Sequence, residues 1–173
     1  MKSNLLVVAI PLGMCIPQAL ADSTVGNVDV TAFAALTFTE DTRVNFGQIP
    51  PTAGNTCAMD NAGTVGAPCI DPGSTQTAGQ ITVSGLAASS SVLFTITGDD
   101  DDTDIDFTAT ADATDGTTSI TINDGVQSGS GVFTTTAAAA DIVFTVYGTI
   151  DVATALTAST AYVTTYTLDV SYE

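Results

Sequence analysis

The chain has no histidine and no tryptophan, and its 173 residues include only two basic ones, Lys2 and Arg43. Each shortage excludes a class of chemistry. Without histidine there is no Ser-His-Asp triad. Lys2 lies within an N-terminal export signal, so the chain left after cleavage has no Ser-Lys pair and no lysine for an isopeptide cross-link. A nucleic-acid groove needs several Lys or Arg contacts to phosphate, and one guanidinium cannot supply them. The same deficit sets the chain against anionic membrane surfaces. Beyond the N-terminus no stretch reaches eighteen apolar residues, so no membrane insertion is expected once the signal is removed. Paired carboxylates for glycoside hydrolysis stay within reach of the composition. Sugar sites, however, favour aromatic platforms, and tryptophan is absent. The expectation is a protein that is not an enzyme.

What is present begins with the signal itself. Met1-Lys2-Ser3 is a short basic start, Leu5 to Ile16 is apolar, and Ala19-Leu20-Ala21 offers the small-x-small pattern that signal peptidase accepts. Residues 1–21 are therefore read as a cleaved signal peptide, with Asp22 as the new terminus. Lipoprotein processing at Cys15 is the rival, and Met14 is too bulky for the position before a modified cysteine. Residues 22–173 are enough for a single domain with its own core. They hold one guanidinium against nineteen carboxylates, a net charge of −18. Such a charge keeps a chain soluble at high salt. The two cysteines left, Cys57 and Cys69, stand twelve positions apart. An oxidising compartment favours a disulfide between them, worth roughly 3 kcal/mol in the chain-entropy model. Metal binding by the pair is not expected, because neither a histidine nor a third thiol is available.

Apolar residues recur at every second position, which is the period of strands. Val28, Val30, Ala32, Ala34, Leu36 and Phe38 share one face of an alternating segment at the new N-terminus. Val44–Ile49 reads as a short strand stopped by Pro50-Pro51, which cannot donate ladder hydrogen bonds. Residues 50–79, rich in Gly, Pro, Asn and Thr, read as a long loop pinned by the disulfide. Further strands are expected at 80–84, 92–97, 105–110, 117–122, 131–135, 141–147 and 161–172. Asn123-Asp124-Gly125 signals a turn, and Ala137–Ala140 is too short to hold a helix alone. The fold class implied is all-β, an antiparallel two-layer sandwich with very little helix.

One acidic cluster stands out. Asp99-Asp100-Asp101-Asp102-Thr103-Asp104-Ile105-Asp106 places six carboxylates in eight residues. Asp100, Asp102 and Asp104 are candidate calcium ligands, since calcium takes six to eight oxygens at adaptable geometry. The EF-hand spacing fails, because Ile105 stands where the loop glycine belongs. The competing interpretation is a solvated turn whose charges discourage edge-to-edge aggregation. Arg43, beside Glu40 and Asp41, either forms a surface ion pair or fixes an assembly contact with an acidic neighbour. No cofactor other than calcium is suggested.

Several short segments, in order, carry a family resemblance. They are Val44-Asn45-Phe46-Gly47-Gln48-Ile49, Gly79-Gln80-Ile81-Thr82-Val83 and Val92-Leu93-Phe94-Thr95-Ile96-Thr97-Gly98. Phe144-Thr145-Val146-Tyr147-Gly148-Thr149-Ile150 and Tyr166-Thr167-Leu168-Asp169-Val170-Ser171-Tyr172 complete the set. The chain resembles the bacterial exported proteins of domain-of-unknown-function family 4402. It departs from them in a longer cysteine-bearing loop and in Ala161-Tyr162-Val163-Thr164, where a glycine-flanked tyrosine is expected. The resemblance implies an immunoglobulin-like sandwich on a bacterial cell surface and supplies no catalytic residues. More broadly the chain is similar to pilus subunits that assemble by donor-strand exchange, in which a neighbour's extended segment fills an open groove by β-augmentation. Residues 22–38 suit the donor, with Val28, Val30, Ala32, Ala34, Leu36 and Phe38 as the inserted face. The functional expectation is a self-associating subunit of an extracellular, pilus- or fimbria-like filament, with a secretion chaperone or usher among its possible partners. The alternative is a monomeric secreted or surface adhesin, with or without calcium.

Overall fold

The computed structural model describes residues 35–69, 75–99, 103–123, 133–135 and 141–172. They form nine strands and no helix: β1 (Thr37–Thr42), β2 (Thr56–Met59), β3 (Gly79–Ser84), β4 (Ser91–Gly98), β5 (Ile105–Thr114), β6 (Ser119–Asn123), β7 (Phe133–Thr134), β8 (Ile142–Val152) and β9 (Tyr166–Tyr172). All pairings are antiparallel. One sheet runs β1-β3-β8-β5-β6, with β2 paired to the far half of β8, and the other runs β7-β4-β9.

Alternation drives the layering. In β8 every second residue from Ile142 to Val152 is buried, and β5 does the same from Ile105 to Ala113. In β4, Val92, Phe94 and Ile96 are wholly buried. These faces meet in an aromatic core, where the Phe94 and Phe144 rings pack edge to face at 4.8 Å. Phe133 packs edge-on against the same Phe94 ring. Burying one large side chain of this kind is worth about 1.5–3 kcal/mol, so the five core phenylalanines, Phe46, Phe94, Phe107, Phe133 and Phe144, and their aliphatic neighbours dominate the hold between sheets.

The strand order is that of an immunoglobulin-like sandwich, whose sheets run A-B-E-D and C-F-G. Here β1, β3, β8 and β5 occupy A, B, E and D in both chain order and sheet order, while β4 and β9 occupy C and F. Among the described residues nothing occupies G, the strand that would lie on the outer edge of β9.

Three expectations from the sequence need correction. Val44–Ile49 is not a strand: Asn45 makes only an isolated bridge to Thr77. The Asn45 side chain accepts the Gly47 N–H at 2.8 Å and Gly47 takes φ 72°, which turns the chain out of extended geometry. Loop 50–79 contains the paired strand β2. In the last expected strand, residues 161–165 belong to no strand, and pairing begins at Tyr166. The structure does join Cys57 to Cys69, with 5.5 Å between their Cα atoms and both side chains buried.

Candidate functional site

Beside β9, at the position no described strand occupies, lies an open groove of about 1390 Å³. Strands β1 and β9, one from each sheet, contribute part of its wall. Phe38 and Glu40 face it from β1, and Tyr166 and Leu168 face it from β9. The segments 43–51 and 156–165 form most of its lining, with Ile105, Phe107 and Ile150 from the core sheet.

The groove is made by a step in burial. Opposite β4, whose inward residues are sealed, the inward residues of β9 (Tyr166, Leu168, Val170 and Tyr172) are only half-buried. All six residues of β1 are exposed. Among the described residues the exposed large hydrophobics are Phe38, at 48%, and Val163, at 80%, and both line this groove. Apolar side chains therefore converge on a trough that the fold's own described strands leave uncovered.

The core-sheet part of this lining is rigid. The Phe107 ring packs edge-on to Phe46 at 5.9 Å and to Tyr166 at 6.2 Å, linking the loop after β1 to the start of β9. Burial, and secondarily the Glu40 carboxylate, raises the Tyr166 phenol above its ordinary pKa, so it stays neutral at the groove wall. Within segment 156–165 Tyr162 accepts the Thr157 N–H at 2.8 Å, tying back the coil that precedes β9. The Thr164 hydroxyl in that coil is buried and has no hydrogen-bond partner among the described residues. Arg43 sits on the rim, its Nε 3.4 Å from a Glu40 carboxylate oxygen. That exposed pair is worth at most about 1 kcal/mol.

The residues singled out in the sequence are distributed unevenly. Of the donor face, Leu36 packs against the core and Phe38 stands in β1 opposite Val83, while Val28, Val30, Ala32 and Ala34 lie outside the described residues. Of the calcium candidates, Asp100 and Asp102 also lie outside them. The Asp104 carboxylate accepts the Thr154 hydroxyl at 2.8 Å, and Asp99 accepts that of Thr165 at 3.0 Å. No group of three or more metal-ligating side chains is assembled among the described residues. Phe46, Phe107 and Val163 were not anticipated as groove residues. Their alternation marks them as buried or strand-like, and only the sheet order reveals which side is open.

No family model, characterised protein or solved structure matches the chain.

Proposed function

We propose that the protein is a structural subunit of an extracellular, pilus- or fimbria-like filament, exported through its N-terminal signal and assembled head to tail by β-strand donation from the segment 22–38, in which Leu36 and Phe38 are held by their own sandwich and the donated residues are those ahead of them. One observation supports this reading: among the described residues no strand lies on the outer edge of β9, and a groove with apolar side chains from β1 and β9 opens there. β9 presents four inward residues at alternate positions, Tyr166, Leu168, Val170 and Tyr172, each half-buried. The N-terminal segment ahead of β1 supplies four apolar residues at the same period, Val28, Val30, Ala32 and Ala34. An added strand gains main-chain hydrogen bonds along the edge and specificity from alternate side chains in the trough. Its volume exceeds the roughly 300–1,000 Å³ usual for small-molecule pockets, which weighs against a compact ligand. The disulfide between Cys57 and Cys69 fits an oxidising, extracellular setting.

Deleting Asp22–Ala34 is expected to abolish filaments in negative-stain electron microscopy while the secreted chain stays soluble. Monomers alone, from the intact protein across salt and calcium conditions, would favour the adhesin alternative.

A further inference from the structure

We propose that a polar pocket on the outer face of the larger sheet, walled in part by the hairpin 59–65, binds a neutral, hydroxyl-rich ligand, one sugar unit of a glycan, through the amide side chains of Asn61, Gln76 and Gln80. Such a site needs no neighbouring copy, so it stands whether or not the chain polymerises.

The pocket grows out of the register of the sheet. Thr42 of β1, Gln80 of β3, Thr145 of β8, Asp112 of β5 and Thr121 of β6 are successive cross-strand partners. Alternation turns this polar row away from the core. Over its β1-β3-β8 end lies a pocket of about 320 Å³, lined by Thr42, Gln80 and Thr145 together with Asn61 and Gln76. The hairpin that brings Asn61 is tightly tied. Met59 bridges Val65, and the Asp60 carboxylate accepts the N–H groups of Ala62 at 3.0 Å and Thr64 at 2.7 Å. The Cys57–Cys69 disulfide brackets it. Two glycines then let the walls meet backbone to backbone. A Cβ on Gly63 would stand 2.9 Å from the Ala78 nitrogen, and one on Gly79 would stand 2.7 Å from the Val44 side chain. The walls are therefore set before any ligand arrives, which lowers the ordering cost of binding.

The chemistry of the lining selects the ligand class. The Gln76 amide nitrogen is buried and has no hydrogen-bond partner among the described residues. Buried donors are almost always paired, and a ligand oxygen in the pocket would pair this one. The Asn61 amide nitrogen donates to the Asp112 carboxylate at 2.9 Å, which fixes the amide and leaves its oxygen as an acceptor. Among the described residues the lining holds no charged side chain and no apolar one larger than alanine. An anion would find no cation there, on a chain with nineteen carboxylates and two basic residues. A cation would find the neighbouring Asp112 already holding three donors, from Asn61, Thr121 and Tyr147. An apolar group would find no wall. Vicinal hydroxyls, each both donor and acceptor, match the amides and threonine hydroxyls. The volume sits at the small end of ligand pockets, which span roughly 300–1,000 Å³, and suits a single ring. Tyr147, the next outward residue along β8 after Thr145, adds an aromatic ring to the same face of the sheet.

The test is a titration of the secreted, nitrogen-15-labelled chain with glucose, galactose, mannose and N-acetylglucosamine, followed through the side-chain amide signals in NMR spectra. Glucuronate and glucosamine serve as charged controls. At least one neutral sugar is expected to shift the amides of Asn61, Gln76 and Gln80 saturably, and more strongly than either control. Gln76→Leu should weaken that sugar roughly tenfold, the loss of about one hydrogen bond. Its thermal midpoint should hold or rise, because the variant removes a buried donor that lacks a partner. Asn61→Ala should weaken the same sugar. No saturable shift with any of the four neutral sugars overturns the site, as do shifts centred on the groove beside β9. Unchanged affinity in Gln76→Leu with a lowered midpoint also overturns it, by making that amide structural. A preference for glucuronate or glucosamine overturns the neutral class.

Discussion

A Cβ placed on Gly98 would overlap the carbonyl oxygen of Phe107, so the end of β4 passes the backbone of β5 at a distance no side chain permits. The same glycine pairs with Tyr166, the first residue of β9, and the Phe107 ring packs on that tyrosine. One close approach therefore sets the core-sheet lining of the groove and the start of its β9 wall. Gly98→Ala is expected to cost about 3 kcal/mol, at the upper end for overpacking. For a domain of this size that lowers the thermal midpoint by roughly 6–12 °C. Gly148→Ala meets the Thr108 carbonyl oxygen in the same way and should behave similarly. Calorimetry of both variants checks this, and unchanged midpoints would show that the strands can spread at no cost.

The disulfide holds a strand as well as a loop. Cys57 lies in β2, paired opposite Ile150 of β8, and Cys69 closes the turn that follows. Replacing both by alanine should cost about 3 kcal/mol by the loop-entropy relation. The loss should also be local. Amide exchange at Thr56–Met59 is expected to accelerate first, while β5 and the first half of β8 stay protected. Uniform acceleration across the sandwich would mean that the bond supports the whole fold.

The layers were legible because burial follows a strict alternation: Ile142 to Val146 and Ile105 to Phe107 announce their faces residue by residue. What escaped has physical causes. Gly148 reads as a strand terminator, yet it serves as the point of contact with Thr108, and β8 continues through it to Val152. Ala111 and Ala113 are weak strand formers on their own, but small wholly buried residues suit a tightly packed inner face, so β5 outruns its expected end at Thr110. The groove was legible only in part. Tyr166, Leu168, Val170 and Tyr172 advertise a strand face, whereas an open edge depends on which partner is missing, a non-local property that alternation does not encode.

Tyr147 supplies a pH-dependent prediction. Its phenol donates to the Asp112 carboxylate at 3.1 Å, and Asp112 also accepts the Thr121 hydroxyl at 2.7 Å. Burial, with the Asp112 charge and hydrogen bond adding to it, raises this tyrosine from 10.0 to about 12. A raised phenol pKa means that the folded state holds its proton more tightly than the unfolded one. The stability it contributes is complete below pH 10 and is lost as pH rises from 10 toward 12. Thermal midpoints should fall over that window, and Tyr147→Phe should flatten the fall. An identical slope in the variant would assign the alkaline loss to other groups, Tyr166 first among them.

In the proposed filament, charge sets the conditions of assembly. Once its signal is cleaved, each copy would bring a net charge of −18, one Arg against nineteen carboxylates, to its neighbour, so the opposition to assembly is long-range while the attraction is short-range. Screening shortens the first without weakening the second: the Debye length falls from about 10 Å at 0.1 M salt to about 3 Å at 1 M. Assembly followed by light scattering should therefore accelerate steeply with sodium chloride over that range. Calcium chloride at matched ionic strength separates screening from binding. Equal acceleration points to screening alone and leaves Asp99–Asp106 a solvated turn. Acceleration at micromolar calcium, lost on Asp104→Asn, would instead identify that cluster as a cation site that gates assembly. Indifference to both salts would mean that the carboxylates lie far enough from the contact to place no barrier before it.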